Sequence, residues 1–405
     1  MTAWRGPALA GLCALLACQR RAPAAPRAPV VDVSPAVDLA PLPPALEAPP
    51  APALPTSFRL DPAHTGRSGF ALPRTLRERA RFPARGRISS QAVAFGDGGL
   101  AFTAHDGVLY TTDGTSADAG VRGRLATGDR VYGTALTGPD GTLYFGSDAD
   151  RFVAWSPSGG LRAALATDGD ADTSAVLCPD GSLRFAAGHV LYAVEPDLTV
   201  RWRLEVPGKI FSSPALTADG LTVFGAQDDR VYAVDAAGQV RWSVVTGGDV
   251  DAPPAVAPDG MIFVGSDDGM VYALGPDGAL RWRHAVGGHV RAAVGLGLDG
   301  TVLAPTYGPR ARLVALDRGD GHERWSFAVA GPPTEEYGLA SAPLVDREGA
   351  VAFGAPDDTV YILERDGALR ARFPLGADVD APPVLVADGV LVVGADDGAL
   401  HVLGD

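Results

Sequence analysis

Pairs of aspartates two residues apart recur along this chain, at Asp170/Asp172, Asp249/Asp251 and Asp378/Asp380. Carboxylates so spaced can lend oxygens to Ca2+, a cation that takes roughly six to eight of them. The seven histidines include no pair at the spacing of metal ligands or of a nucleophile-activating dyad or triad. His105-Asp106 reads as a turn, and nothing resembles a nucleophile elbow or a phosphate loop. The consecutive aspartates at 228/229, 267/268, 357/358 and 396/397 read as turn formers whose side chains cap their own backbone. No catalytic constellation results, and the chain is read as a non-enzyme with no cofactor and no metal. The residue types that stand out suit recognition instead: His289, Arg291, Tyr307, Arg310, Arg312 and Tyr337, with Tyr132 and Phe211.

Whether these residues can act together depends on the frame that carries them. Between Asp249 and Arg283 four short apolar runs alternate with Pro258-Asp259-Gly260, Asp267-Asp268-Gly269 and Pro276-Asp277-Gly278. Asp-Gly between apolar runs is a hairpin signal, because Gly accepts the positive φ of the turn. The stretch therefore reads as four antiparallel strands. It recurs: the acidic residue of the acidic-Gly turn falls at Asp97, Asp140, Asp180, Asp219, Asp259, Asp299, Glu348 and Asp388. Eight copies at a period of about 40 predict an all-β, eight-bladed β-propeller of four-stranded antiparallel blades. Small residues mark the first strand of each copy, as a crowded axis requires. Trp202, Trp242, Trp282 and Trp325 sit on fourth strands, where they are expected to fasten blade to blade.

The eighth copy stops at its third strand, Leu400 to Leu403, while Leu76–Phe82 precedes the first copy without a partner. The N-terminal strand is expected to complete the last blade and close the ring, which removes exposed sheet edges. The aspartate pairs fall on the third, fifth and eighth copies. Those blades are not neighbours, so the pairs form no common cation shell.

Residues 1–17 read as a signal segment, with Arg5 before an apolar run from Ala8 to Ala17. Leu15-Leu16-Ala17-Cys18 resembles the bacterial lipoprotein signal, which implies cleavage and lipidation at Cys18. Gln19 resembles the sorting residue of lipoproteins sent to the outer membrane. Residues 18–56 are Pro/Ala-rich and read as an unpacked spacer, and residues 57–405 as the propeller. With Cys13 removed and Cys18 acylated, Cys178 is the remaining thiol, a buried small hydrophobe, and no internal disulfide can form. A formal charge of −14 argues against nucleic-acid binding.

Ala233-Val-Asp235 through Gly238 to Trp242, and Ala315-Leu-Asp317 through Gly321 to Trp325, resemble the pyrroloquinoline-quinone (PQQ) repeat motif. Ala193–Trp202 and Ala273–Trp282 match it less fully, and Phe58–Gly66 looks like the segment that precedes the propeller in this family. The family holds quinone-dependent dehydrogenases, whose cofactor sits with Ca2+ ligands and often an adjacent Cys-Cys disulfide. It also holds quinone-free lipoproteins, above all the propeller subunit of the β-barrel outer-membrane assembly machinery. The lipoprotein signal, the short loops and the lack of a Cys pair resemble the second branch.

Counted from the repeat, Arg87, Arg130, Asp170, Lys209, Asp249, His289, Gly338 and Asp378 occupy one loop position. Two residues on lie Ser89, Tyr132, Asp172, Phe211, Asp251, Arg291, Ala340 and Asp380. Side chains vary there while the strands barely do, as on binding faces of repeat proteins. Blade six adds length in Pro305–Arg312 and Gly331–Gly338, which with His289 and Arg291 would form a raised lip. The sequence thus describes a monomeric, lipid-anchored scaffold of the bacterial envelope that binds a protein partner, in outer-membrane protein assembly. A quinone-dependent oxidoreductase and a small-ligand sensor at the channel mouth are the alternatives.

Overall fold

The computed structural model describes residues 53–54, 56–96, 98–308, 310–331 and 338–405, together with the backbone of Val30–Val31. No helix occurs among them, so none is long and apolar enough to cross a membrane. The strands form eight antiparallel blades. Blade 5 shows the pattern: Ala255–Val256, Ile262–Gly265, Met270–Leu274 and Leu280–Ala285, paired in sequence order. Both faces of each blade are buried against its neighbours, which is why the second and third strands of blade 5 are apolar throughout.

Ring closure follows the sequence expectation. In blade 8, Val384–Ala387, Val390–Ala395 and Ala399–Gly404 are followed by Arg77–Pro83, which pairs antiparallel with Ala399–Gly404. The buried His401 fixes this seam, with Nδ1 2.6 Å from Glu78 Oε1 and Nε2 3.2 Å from the Asp397 carboxylate. In blades 1, 4, 5 and 7 a tyrosine stands at that position and donates its hydroxyl to the turn aspartate, as Tyr110 does to Asp106 at 2.5 Å.

The blades are joined at two radii. Near the outside, Trp202, Trp242 and Trp282 donate their indole N–H to Ala236 O, Pro276 O and Arg318 O of the following blade, at 2.8, 3.0 and 2.8 Å. Each ring lies over a turn glycine with positive φ; Gly278 (φ 79°) beneath Trp242 has no room for a Cβ, which would stand 2.7 Å from the indole. Trp325 covers Gly367 in the same way, although Trp202 and Trp325 keep part of their rings in solvent. Nearer the axis, Gly265 ends a second strand because a Cβ there would enter the Val290 side chain of blade 6.

The axis itself holds the segment before the closing strand. Its carbonyls Thr56, Pro62, Ala63, Thr65 and Gly66 accept from the second residue of the inner strands of blades 2, 4, 5, 6 and 7, namely Thr137, Leu216, Val256, Leu296 and Val345. One non-periodic stretch thus satisfies the free edges of two-residue inner strands. Arg59, 2% exposed, donates to Pro343 O (2.7 Å) and Val294 O (3.1 Å), while its own N–H donates to Gln91 Oε1. Phe58 packs on Ala292, Ala293 and Ala342, and His64 is buried edge-on against Phe58. Contacts to blades 1, 6 and 7 from one residue, the first through its backbone N–H and the others through its guanidinium, put Arg59 on the axis, so the channel is stoppered. On blade 4 a further pairing occurs: Val30–Val31 lies parallel to Val240–Val245 at Ser243 and Val244.

Candidate partner-binding face

In a meander, the loop entering the first strand and the turn between second and third strands emerge on the same face. Here the turn of one blade meets the entry loop of the next. Gln227 of blade 4 donates to Asp251 of blade 5 (3.4 Å), and Asp267 of blade 5 accepts a forked pair from Arg291 of blade 6 (2.7 and 3.0 Å). Arg87 of blade 1 reaches Asp396 of blade 8 at 3.3 Å. The consecutive aspartates therefore divide their work. Asp268 and Asp397 cap the backbone of Met270 and Ala399, as expected of turn formers. Asp267 and Asp396 instead accept from arginines across a blade boundary, a role the turn reading missed.

Blade 6 gathers three of the expected rim residues. The Tyr307 N–H donates to His289 O at 2.7 Å, and Tyr307 bridges both His289 and Gly338, so the two long loops are stitched together. The Arg291 guanidinium lies 5.1 Å from the centre of the Tyr307 ring, which leaves its charge shared between the ring and Asp267. Arg310 is exposed beside them. Arg312 is turned along the blade and donates to Glu323 Oε1, Ser326 Oγ and Val286 O. Tyr337 and Cys18 lie outside the described residues. Tyr132 and Phe211 share the face but sit on the entry loops of blades 2 and 4, away from the lip; Phe211 is 38% exposed.

A cluster that sequence reading passed over as a turn lies at blades 1 and 2. Arg87 Nε donates to His105 Nδ1 at 2.8 Å, Ser89 Oγ is 2.8 Å from Nε2, and the Tyr132 ring is 4.2 Å away. A guanidinium is donor-only, so Nδ1 must carry the lone pair and Nε2 the proton. Ser89 then accepts from the imidazole rather than giving it a proton. The pair has the distance of a Ser-His dyad and the wrong polarity for a general base. Burial, with Arg87 and Arg130 nearby, lowers the His105 pKa to about 4, so the ring is neutral at physiological pH.

Several carboxylates at the mouth are held above the ordinary range, Asp148, Asp249 and Asp378 among them, and three more deeply buried ones stand out. Burial, then Asp148 hydrogen-bonded beside it, raises Asp172. Burial, then Asp267, raises Asp251 to about 6, and burial, then Asp396 and Asp378, raises Asp380 to about 6. Among the described residues, a tight grouping of metal-capable side chains occurs elsewhere, at Asp317, Asp320 and His322 in a blade 6 turn. There Asp317 accepts from Gly319 N at 2.7 Å and Asp320 from His322 N at 3.1 Å, so their oxygens shape the turn.

On the opposite face, a groove of about 700 Å3 runs between the axial segment and the turns of blades 2 to 5, past Pro62, Leu177, Cys178, Leu216 and Val256. Cys178 is a buried member of its apolar wall.

An eight-fold ring of four-stranded blades, docked through Trp on Gly and closed by an N-terminal strand, defines an eight-bladed β-propeller, and its repeats carry the PQQ-type motif. A family profile described as "Outer membrane protein assembly factor BamB" matches residues 227–395, from the blade 4 turn into blade 8. The resemblance to PQQ-repeat propellers holds over that span. The chain is similar in structure to BamB from Moraxella catarrhalis, at 17% identity and a TM-score of 0.66 over 82% of this chain and 98% of that one. A quinohemoprotein alcohol dehydrogenase from Comamonas testosteroni overlaps 87% of this chain and 80% of its own, at 13% identity and a TM-score of 0.72. The computationally designed Ika8 protein does so at 16% identity and 0.66, over 81% and 99%. At these identities the likeness is one of fold. No curated protein matches the sequence.

Proposed function

We propose that this propeller is a non-catalytic binding scaffold of the bacterial cell envelope, anchored by a lipid on Cys18 and engaged in outer-membrane protein assembly. The observation that carries the reading is the match of residues 227–395 to the assembly-factor family. The geometry supports it in one respect above others. The axis is filled by Phe58, Arg59 and His64, so the variable side chains are left on the entry-loop face, where a flat partner can reach them. His289, Arg291, Tyr307 and Arg310 on blade 6, with Phe211 on blade 4, offer the aromatic and guanidinium groups that protein interfaces favour. Cross-linking in intact envelopes, read by mass spectrometry, tests this. Recovery of outer-membrane assembly proteins through that face is the expected result, and cross-links confined to the opposite face refute the assignment.

The overlap with the quinohemoprotein alcohol dehydrogenase keeps one second reading, a quinone-dependent oxidoreductase at the channel mouth. Reconstitution with quinone and Ca2+ followed by dye reduction separates the two. A scaffold gives no turnover.

A further inference from the structure

The outer edge of blade 4 is covered where the others are open. Its strand ends Ser243-Val244-Val245, where the outer strands of blades 1, 3, 5, 7 and 8 carry Arg124, Arg203, Arg283, Arg372 and Arg81 at the Ser243 position. Those arginines are exposed, whereas Ser243 is 3% exposed and Val244 1%. Blades 2 and 6 also lack an arginine at the corresponding position, but their Ala164 and Ser326 are exposed. Charged side chains on an edge strand oppose the addition of another strand, and β-branched residues favour it. Blade 4 lacks that protection, and something covers it. The backbone pairing shows what: Val30 stands opposite Ser243 and Val31 opposite Val244, in parallel, on a blade whose own strands pair antiparallel. In the first 55 residues, Val30-Val31 is the one place where two β-branched residues adjoin.

We propose that the outer edge of blade 4 is a strand-addition site whose resident is the chain's own Val30–Val31 segment. Reach permits it. The 25 residues from Val31 to Thr56 span up to ~78 Å at ~3.1 Å per residue in an extended Pro-rich chain, and the four strands between outer and inner edge measure only ~15–20 Å. The consequence, which rests on the lipid-anchor reading above, is a shorter tether. From Cys18 to Val30 the chain reaches ~37 Å, against ~118 Å from Cys18 to Thr56. Docking at blade 4 then holds that edge of the ring nearest the bilayer and presents the propeller edge-on.

Hydrogen exchange of the full chain, followed in the peptide that covers Val240–Val245, tests the docking without reference to acylation. With Val30→Pro/Val31→Pro, that peptide is expected to exchange about tenfold faster while the outer strands of blades 3 and 5 keep their rates. Ser243→Arg, which gives blade 4 the residue found in blades 1, 3, 5, 7 and 8, is expected to do the same. Unchanged exchange in both variants overturns the proposal, and so does equal acceleration in all three blades. Protection that falls on dilution of the protein assigns the resident to a second copy and overturns the intramolecular site. Intact mass at Cys18 reports separately on the anchor, so failure of one reading is not mistaken for failure of the other.

Discussion

The guanidinium of Arg59 donates to Pro343 O across 2.7 Å, joining residues 284 apart in the chain at the axis of the ring. It also holds Val294 O, so one side chain ties blades 6 and 7 to the segment that stoppers the channel. Burial lowers its pKa to about 10, which still leaves it charged at neutral pH. Arg59→Ala orphans both carbonyls and opens the axis. A loss of about 2–4 kcal/mol in chemical denaturation is expected, and a variant with the parent midpoint contradicts the plug.

Closure gives a second expectation. Deleting residues 74–84 removes the fourth strand of blade 8 and bares the edge of Ala399–Gly404. The calorimetric transition should broaden into several steps. His401→Ala, which strips the link to Glu78 and Asp397, is the milder version and should cost about 1–3 kcal/mol in a single transition.

The Trp-on-Gly contact separates packing from hydrogen bonding. Trp242→Phe keeps an aromatic ring over Gly278 and loses the bond to Pro276 O, for about 1 kcal/mol. Gly278→Ala forces a Cβ toward the indole at positive φ, and is expected to cost more, about 2–4 kcal/mol. Reversal of that order in urea melts would mean that the indole N–H, rather than the fit, fastens the blades.

The mouth carboxylates set a pH dependence. Asp251 and Asp380 titrate at about 6 in the folded chain, against the ordinary 3.8 when unfolded. The folded state therefore holds more protons between these values, and the stability they contribute is present below pH ~4 and lost as pH rises through ~6. Asp380→Asn should flatten the fall in melting temperature between pH 4.5 and 7 and raise it at pH 7. An unaltered profile would show that the Asp380 carboxyl is not raised in the folded chain.

For the rim, a triple change of Phe211, Tyr307 and Arg310 to Ala should reduce recovery of cross-linked partners several-fold. Its melting temperature should stay close to that of a control variant on the opposite face. Full recovery sinks the blade 6 lip as a contact surface.

What could be read beforehand was whatever repeats. The period, the four strands per copy and the missing eighth fourth strand are local patterns multiplied eight times, so Arg77–Pro83 had one unfilled place to go. The axial stopper was illegible because Thr56–Gly66 has no period and its partners are scattered over five blades. His105 was read as a turn residue because its ligands, Arg87 and Ser89, come from the loop on the far side of its own second strand, and Tyr132 from the next blade. Arg312 looked like a rim cation by position; the direction of its side chain, toward Glu323 and Val286, is set by packing that spacing does not encode.

Arg59 leaves the ribosome before any of its carbonyl partners, which follow 235 and 284 residues later. The first part of the body to be synthesised is therefore the last to find its place, and the ring cannot lock while the polypeptide is still being threaded out. Such long-range pairing folds slowly and leaves inner strands bare meanwhile, so newly made chains should depend on chaperones until the final blade has emerged.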